Sequence, residues 1–292
     1  MMTIKLDGKK LAEKVKTRLI QRIADLKSKG IKPKLVVILV GGDEASKIYV
    51  RNKHRTAQKL GIETQDIRLQ RTVKESELLT LIKTLNADDS VHGILVQLPL
   101  PEQIDAKGVI NAIKPEKDVD GFNPQNVGSL FLNDPHSLPC TPAGILQFFE
   151  EYHLPVCGKH VVIVGRSNIV GRPMAAIMLN HDATVTITHS KTKNLRKLTR
   201  QADILIVAIG KAEFITGEDI KPGAIVIDVG MNRNENGKLV GDVEHSSVNE
   251  RASYLTPVPG GVGPMTIAML MEQTVNFAER SADFDGKNVF NS

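Results

Sequence analysis

The sequence predicts an α/β protein built from two parallel-sheet domains, the second of them Rossmann-like. Short apolar strands alternate with amphipathic helices along most of the chain. Two runs of β-branched and aliphatic residues, 35–40 and 161–164, each end at a glycine, as buried parallel strands do. The length of 292 residues is sufficient for two hydrophobic cores.

The first half of the chain predicts a βαβαβ series. Apolar residues at three- and four-residue spacing predict a helix over 9–29. The strands and helices predicted after it alternate in chain order: strand 35–40, helix 44–60, strand 64–69, helix 75–86 and strand 93–97. Parallel strands need a crossover helix between them, so this order indicates a parallel sheet in the first domain.

The pattern loosens between 106 and 142, where Asn, Asp, Gly and Pro accumulate, and we place the domain boundary near the end of this segment. A connecting helix is predicted over 144–152. The predicted elements of the second domain are strands 160–164, 184–188, 204–207 and 224–228, helices after Gly171 and near Leu195, and a last helix at about 265–280. The second domain therefore repeats the alternation of strands and helices.

Composition limits the class of protein and its location. The net charge is +5, but Lys and Arg are scattered, aromatics make up 4% of residues and tryptophan is absent, so no nucleic-acid partner is predicted. No apolar run approaches the roughly 20 residues that span a bilayer, and no membrane partner is predicted. Cys140 and Cys157 form no C-x-x-C pair, and the N-terminus lacks the apolar core of a signal peptide. We expect a cytoplasmic protein.

A glycine turn between 165 and 171 predicts a dinucleotide site. A buried strand runs into Gly165, and Gly171 opens an apolar helix, whose free N–H groups and dipole favour an anion. The spacing differs from the common G-x-G-x-x-G pattern. The next strand leads into Ser190 without the acidic residue of an NAD site, and Arg166 lies in the glycine turn. These donors suit a 2′-phosphate, so NADP is predicted; the alternative is that they form ordinary solvated turns.

The first domain carries a second group of candidate residues. Tyr49 and Lys53 lie four residues apart on a predicted helix, hence on one face. Gln97 closes a neighbouring strand, and Asp120 follows in a turn. Each residue alone has a structural explanation, but the carboxyl ends of parallel strands are where α/β proteins bind ligands. His54 is turned about 100° from Lys53 and is predicted to lie on the surface. No metal site is predicted.

Several segments resemble the bifunctional methylenetetrahydrofolate dehydrogenase/cyclohydrolase family of bacterial FolD type. They occur in the family's order across nearly the whole chain. The segments are 49–53, 96–101, 117–124, 165–173 and 257–266. The resemblance implies oxidation of 5,10-methylenetetrahydrofolate with NADP, then hydrolysis of the 5,10-methenyl product to 10-formyltetrahydrofolate. It also implies that Lys53 is the central catalytic group, that Tyr49 stacks on the folate, that Gln97 orients Lys53 and that Asp120 binds the amino-pyrimidine edge of the pterin.

The same resemblance assigns the remaining site residues. The residues implied to bind the cofactor are Gly165, Arg166, Ser167, Ser190 near the 2′-phosphate, Met231 near the nicotinamide and Thr141. Pro259, Gly260 and Gly261 are implied to border the folate. The family's last helix returns to the first domain, which gives a folate-binding catalytic domain of 1–140 with 270–292 and an NADP-binding domain of 141–269. Family members are typically homodimers paired through their cofactor domains.

Three other functions remain open from the residues alone: a different dehydrogenase, a non-catalytic NADP-binding regulator and a nucleic-acid binder. A dehydrogenase of another small metabolite would keep the turn at Gly165, and so would a non-catalytic NADP-binding regulator. Neither has a need for Tyr49, Lys53, Gln97 and Asp120 together. A nucleic-acid binder would instead show an affinity that falls steeply with salt.

Overall fold

The computed structural model describes residues 3–42 and 44–288. Strands and helices alternate along most of this length. The first half contains β1 (Ile4–Lys5), α1 (Gly8–Ser28), β2 (Lys34–Val40), α2 (Glu44–Leu60), β3 (Glu63–Leu69), α3 (Glu75–Ala87), β4 (Gly93–Val96), α4 (Ala106–Ala112) and α5 (Pro124–Phe131). The second half contains α6 (Cys140–Glu151), β5 (His160–Val164), α7 (Gly171–Asn180), β6 (Thr184–Thr188), α8 (Leu195–Thr199), β7 (Ile204–Val207), β8 (Ile225–Asp228), β9 (Asn232–Arg233), β10 (Leu239–Val240), α9 (His245–Val248), β11 (Tyr254–Leu255) and α10 (Val262–Asn288).

The chain forms two compact units, each with its own parallel sheet. The six-stranded unit contains the described residues of Met1–Glu13, Leu130–Asp134 and Thr141–Thr266. The three-stranded unit contains those of Lys14–Ser129, Pro135–Cys140 and Ile267–Ser292. The long helices α1 and α10 begin in the six-stranded unit and continue into the three-stranded one. The predicted fold class, with a C-terminal helix that returns to the first domain, is confirmed.

The three-stranded unit is organised around β2. Its sheet has the order β3-β2-β4, and both pairings are parallel. Nearly every side chain of β2 is buried, since helices cover parallel sheets on both faces. Leu78 and Ile82 of α3 pack in the same buried cluster as Ile38 of β2. The β2–β4 register pairs Ile38 with Val96, which sets the end of β4 beside the end of β2.

The six-stranded unit has the strand order β1-β11-β8-β7-β5-β6. Every pairing within this sheet is parallel. The central strands β5, β7 and β8 are almost completely buried, as their aliphatic sequences predict. All carboxyl ends therefore lie along one edge of the sheet, where the loops after β5, β6, β7 and β8 begin.

The structure differs from the sequence prediction in several segments. The loosely patterned region 106–142 contains α4, α5 and the start of α6. The last helix runs from Val262 to Asn288, longer at both ends than predicted, and the connecting helix starts at Cys140 rather than 144. The prediction gave 1–140 to one domain, whereas β1 pairs with β11 in the six-stranded sheet. A two-residue strand has no readable periodicity.

Arg22 of α1 donates from Nε to Glu279 Oε1 at 2.9 Å, which fastens α10 to α1 within the three-stranded unit. In the part of the chain that the structure describes, no helix combines the length and the apolar character needed to cross a membrane.

Candidate active site

Lys53 is buried because of its position on α2. The buried face of this helix is formed by Val50, Ala57 and Leu60. Lys53 lies three residues after Val50 and four before Ala57, which places it on the same face. It is 9% exposed. Its Nζ donates a hydrogen bond to Gln97 Oε1 at 3.0 Å. The helix thus carries an ammonium group on its apolar face, next to the end of β4.

Gln97 is held so that only its carbonyl oxygen faces Lys53. Its backbone N–H donates to Ile38 O at 2.9 Å, which continues the pairing of β4 with β2. Its side-chain Nε2 donates to Leu98 O at 2.8 Å. Because an ammonium group can only donate, this amide orientation is the one that Lys53 requires.

Asp120 reaches the same place through a turn organised by Asp118. Asp118 pairs with Ile94 of β4 in a parallel bridge, so the chain two residues later passes beside the end of that strand. The buried Asp118 carboxylate accepts hydrogen bonds from Gly121 N at 3.1 Å and Asn123 N at 2.7 Å. It also accepts one from Asn126 Nδ2 at 3.0 Å. No role for Asp118 was predicted from the sequence. The feature that could have indicated one is a second carboxylate two residues before Asp120.

Lys117 fixes the start of this turn. Its side chain is buried, and Nζ donates to Leu85 O at 3.2 Å and to Asp88 O at 2.7 Å, at the end of α3. Burial lowers the pKa of Lys117, and burial raises the pKa of Asp118. The turn is therefore held to β4 through Asp118 and to the end of α3 through Lys117.

Burial raises the pKa of Asp120 to about 6. The Lys53 ammonium acts in the opposite direction and lowers the pKa of Asp120, because it favours the ionised carboxylate. Asp118 raises the pKa of Asp120 through like-charge repulsion. At neutral pH the carboxylate is ionised and can accept two N–H donors from a ligand. Lys53, Gln97 and Asp120 thus form one group, as the sequence predicted for the edge of this sheet.

Tyr49 and Cys140 lie in the same unit. Tyr49 is half-buried one turn before Lys53, and burial raises the pKa of its hydroxyl, which therefore stays neutral. Cys140 is buried, its Sγ donates to Val119 O at 3.1 Å, and burial raises the pKa of its thiol well above the usual value. Sequence analysis had used Cys140 only as an indicator of compartment. Its thiol is a neutral neighbour of the Asp120 turn.

His54 was predicted to lie on the surface, and in the structure it is partly exposed and packs against β3. Its side chain is 30% exposed, and Nδ1 lies 3.1 Å from Asp66 Oδ2 and 3.1 Å from Thr64 Oγ1 on β3. The ring turns away from Lys53, as a one-residue step on a helix requires. His54 fastens α2 to the neighbouring strand.

The turn after β5 leads from Gly165 to the N-terminus of α7. Gly165 has φ of +126°, and a Cβ there would lie 2.3 Å from Ala208 O, so only glycine fits. The exposed Ser167 accepts hydrogen bonds at Oγ from Val170 N at 3.2 Å and Gly171 N at 3.4 Å, at the start of α7. A ten-residue helix therefore points its N-terminus at this turn, which suits an anion.

Arg166 and Ser190 follow two strands that pair with each other. The β5–β6 pairing matches Val164 with Thr188, and each candidate residue lies two positions beyond its strand end. Both side chains are exposed. The loops after these two strands thus present a guanidinium group and a hydroxyl at the same edge of the sheet, in keeping with a 2′-phosphate site.

The other candidate residues belong to the six-stranded unit. Met231 follows β8 and is 48% exposed. Thr141 Oγ1 lies 3.0 Å from Thr266 Oγ1. In the glycine-rich segment, Pro259 is exposed, while Gly260 and Gly261 are buried. Gly260 O accepts a hydrogen bond from Lys9 N at 3.1 Å, which joins this segment to the start of α1.

The fold and these residues define a class: an α/β enzyme that uses a nicotinamide dinucleotide. Two family models match the chain. The tetrahydrofolate dehydrogenase/cyclohydrolase catalytic domain matches residues 6–120, and the NAD(P)-binding domain of the same family matches residues 139–282. The chain therefore belongs to the tetrahydrofolate dehydrogenase/cyclohydrolase family, as predicted.

Known proteins of this family resemble the chain over nearly its full length. The bifunctional protein FolD of Ligilactobacillus salivarius is 65% identical, with 96% of this chain and 99% of that protein covered. The crystal structure of the bifunctional enzyme FolD of Campylobacter jejuni has a TM-score of 0.94 at 51% identity, covering 96% and 99% of the two chains. The Trypanosoma brucei enzyme, solved with NADP and an inhibitor, has a TM-score of 0.92 at 37% identity, covering 97% and 99%. The predicted enzyme class is confirmed.

The pKa of Asp120 should be measurable as about 6 in the folded protein. In 13C NMR of protein with labelled aspartate, one carboxyl resonance should titrate there and should disappear in Asp120→Asn. Lys53→Met should raise this midpoint, because the lost positive charge no longer favours the carboxylate. A midpoint near the ordinary aspartate value, or one that Lys53→Met leaves unchanged, would contradict the arrangement.

Proposed function

We propose that this protein oxidises 5,10-methylenetetrahydrofolate with NADP and hydrolyses the 5,10-methenyl product to 10-formyltetrahydrofolate. The observation that carries the proposal is the buried Lys53 ammonium, hydrogen-bonded to Gln97 at 3.0 Å and next to Asp120. A dehydrogenase for another metabolite or a non-catalytic NADP-binding protein has no need for this group. The activity belongs to one-carbon metabolism.

The folate is proposed to bind through Tyr49 and Asp120. The ionised Asp120 carboxylate accepts from the N–H pair on the amino-pyrimidine edge, and the neutral Tyr49 ring stacks on the pterin. Pro259, Gly260 and Gly261 are proposed to border the substrate. These contacts hold the one-carbon bridge in position, which is the main requirement of the first step.

Oxidation needs little acid or base chemistry from the protein. The lone pairs of the two nitrogens that flank the methylene carbon expel a hydride and leave a methenyl cation. Bound NADP supplies the hydride acceptor. The residues proposed to hold it are Gly165, Arg166, Ser167, Ser190, Met231 and Thr141.

Hydrolysis is the step that requires proton transfer. Water adds to the methenyl carbon and loses a proton, and one carbon–nitrogen bond then breaks as that nitrogen takes up a proton. Lys53 is proposed to move these protons, and Gln97 to orient its Nζ. Lys53 is therefore more important for hydrolysis than for oxidation.

The protein is further proposed to be a homodimer paired through the cofactor domains. One of the two terminal strands of the six-stranded sheet is β6, and Ile187 on it is 40% exposed. Three more apolar side chains of this unit are exposed: Leu179 on α7 by 53%, Phe131 by 69% and Leu132 by 78%. Asn180 Nδ2 donates to Leu130 O at 2.8 Å, which joins the end of α7 to the chain just before Phe131 and Leu132. An exposed edge strand beside apolar residues favours pairing with a second copy.

The cytoplasmic location stays a prediction.

Replacement of Lys53 should separate the two activities. Lys53→Met keeps the length of the side chain but removes its proton, so hydrolysis of 5,10-methenyltetrahydrofolate should fall by at least about 100-fold. NADP-dependent oxidation should remain measurable. Both rates come from spectrophotometric assays of the same preparation. The matched control is Lys59→Met, an exposed lysine on the same helix, which should keep both activities. Equal loss of both activities in a folded, folate-binding Lys53→Met protein would refute this role.

The double variant Arg166→Ala with Ser190→Ala should lose the preference for NADP over NAD. Both proposed contacts to the 2′-phosphate are removed, so the ratio of kcat/KM for NADP to that for NAD should fall by at least about 10-fold. Lys197→Ala removes an exposed cation of the same unit and serves as the control, with an unchanged ratio. An unchanged ratio in the double variant would show that the phosphate lies elsewhere.

Sedimentation should reveal two copies of the chain per particle. Ile187→Lys places a charge on the β6 edge and should yield monomers, because the charge would lose its hydration in a paired edge. Ile20→Lys changes an isoleucine of α1 that is 54% exposed and should leave the dimer intact. A monomeric wild-type protein, or an Ile187→Lys protein that remains a dimer, would argue against this interface.

A further inference from the structure

A fully buried carboxylate, Asp242, binds the loop that follows β7. Its Oδ2 accepts hydrogen bonds from Ile209 N at 2.6 Å and Gly210 N at 3.0 Å, and its Oδ1 accepts one from Lys211 N at 2.8 Å. Three consecutive backbone N–H groups around one anion form an anion-binding concavity. The protein fills this concavity with its own side chain.

The same carboxylate binds the loop that follows β8. Asp242 Oδ1 also accepts from Asn232 Nδ2 at 2.9 Å. A Cβ on Gly230 would lie 2.4 Å from this Oδ1 and 2.3 Å from Asp242 N, so the loop packs directly on the aspartate. Gly230 and Asn232 flank Met231. Asp242 therefore contacts the chain on both sides of the exposed Met231 side chain.

A second buried carboxylate holds Asp242 itself. Asp228, the last residue of β8, accepts at Oδ1 from Asp242 N at 2.9 Å and from Gly230 N at 2.9 Å. Its Oδ2 accepts from Val243 N at 3.1 Å and lies 3.1 Å from His245 Nε2. The position of Asp242 is thus fixed to the end of a central strand.

The loop after β7 also contacts the glycine turn that begins at Gly165. Ala208, one residue before Ile209, places its carbonyl oxygen against Gly165. The backbone N–H of Ala208 donates to Val164 O at 2.8 Å, at the end of β5. Contacts thus run from Asp242 through the 208–211 segment to the glycine turn, and through Asn232 to Met231. Both are places where the cofactor is proposed to bind.

We propose that Asp242 is a positioning residue for the cofactor: it aligns the loops after β7 and β8 so that the glycine turn and Met231 can bind one NADP molecule. This inference rests on the proposed function, because it assumes that NADP binds at this edge of the sheet. Asp242 accepts through both carboxylate oxygens, and an amide offers only one acceptor oxygen. Substitution by asparagine therefore leaves N–H donors of a loop without partners.

Asp242→Asn should weaken NADP binding selectively. Loss of hydrogen bonds to a buried side chain predicts a rise of at least about 10-fold in the KM for NADP and in the Kd for NADPH, measured by its fluorescence. The KM for 5,10-methylenetetrahydrofolate and the rate of methenyl hydrolysis should stay within about twofold of wild type. A purely structural role would lower both activities together.

Two further variants keep the test decisive. Asn232→Ala removes only one donor and should raise the KM for NADP by about threefold without a change in Tm. Asp203→Asn is the matched control: this carboxylate accepts from His160 N at 3.0 Å and Lys221 Nζ at 2.6 Å, next to the amino end of β7. It should leave the KM for NADP unchanged.

The outcomes separate the inference from the function on which it rests. An unchanged KM for NADP in Asp242→Asn and Asn232→Ala, or a parallel loss of both activities in both variants, would overturn the positioning role. A wild-type protein without NADP-dependent oxidation would instead refute the proposed function.

Discussion

The hydrogen bond from Lys53 to Gln97 is the interaction on which the candidate site depends. An ammonium group on the apolar face of a helix is costly unless polar partners replace water. Gln97 supplies one partner at 3.0 Å, and the Asp120 carboxylate supplies a compensating charge. Both partners are placed by β4, because Gln97 follows its last residue and Asp118 pairs with Ile94. The register of one short strand thus determines the geometry of the site.

Buried aspartates organise the loops of both units in the same way. Asp118 accepts N–H groups from the turn that carries Asp120. Asp242 accepts N–H groups from the loops beside Gly165 and Met231. In each case one buried aspartate side chain accepts hydrogen bonds from several donors of an irregular segment. The segments that carry Asp120 and Met231 are thus held by hydrogen bonds to a buried carboxylate.

The sequence anticipated the elements with strong patterns. Aliphatic runs such as 35–40 predicted the buried strands, and four-residue spacing predicted that Tyr49 and Lys53 share a helix face. The partnership of Lys53 with Gln97, 44 residues apart, followed from the rule that parallel strands end at one edge of a sheet. The sequence could not reveal β1, which is too short to have a period, or α4 and α5, whose segment is rich in turn-forming residues. Nor could it reveal Asp242, whose partners are mostly backbone groups and leave no residue signature.

Proton transfer is proposed for Lys53 in the three-stranded unit, and cofactor binding for the loops of the six-stranded sheet. The most direct test of this division is to follow reduced nicotinamide and the methenyl chromophore together, with and without NADP, on the wild-type protein. Oxidation of 5,10-methylenetetrahydrofolate should require NADP, whereas hydrolysis of added 5,10-methenyltetrahydrofolate should proceed without it. Hydrolysis that is absent, or that occurs only when NADP is bound, would contradict the account.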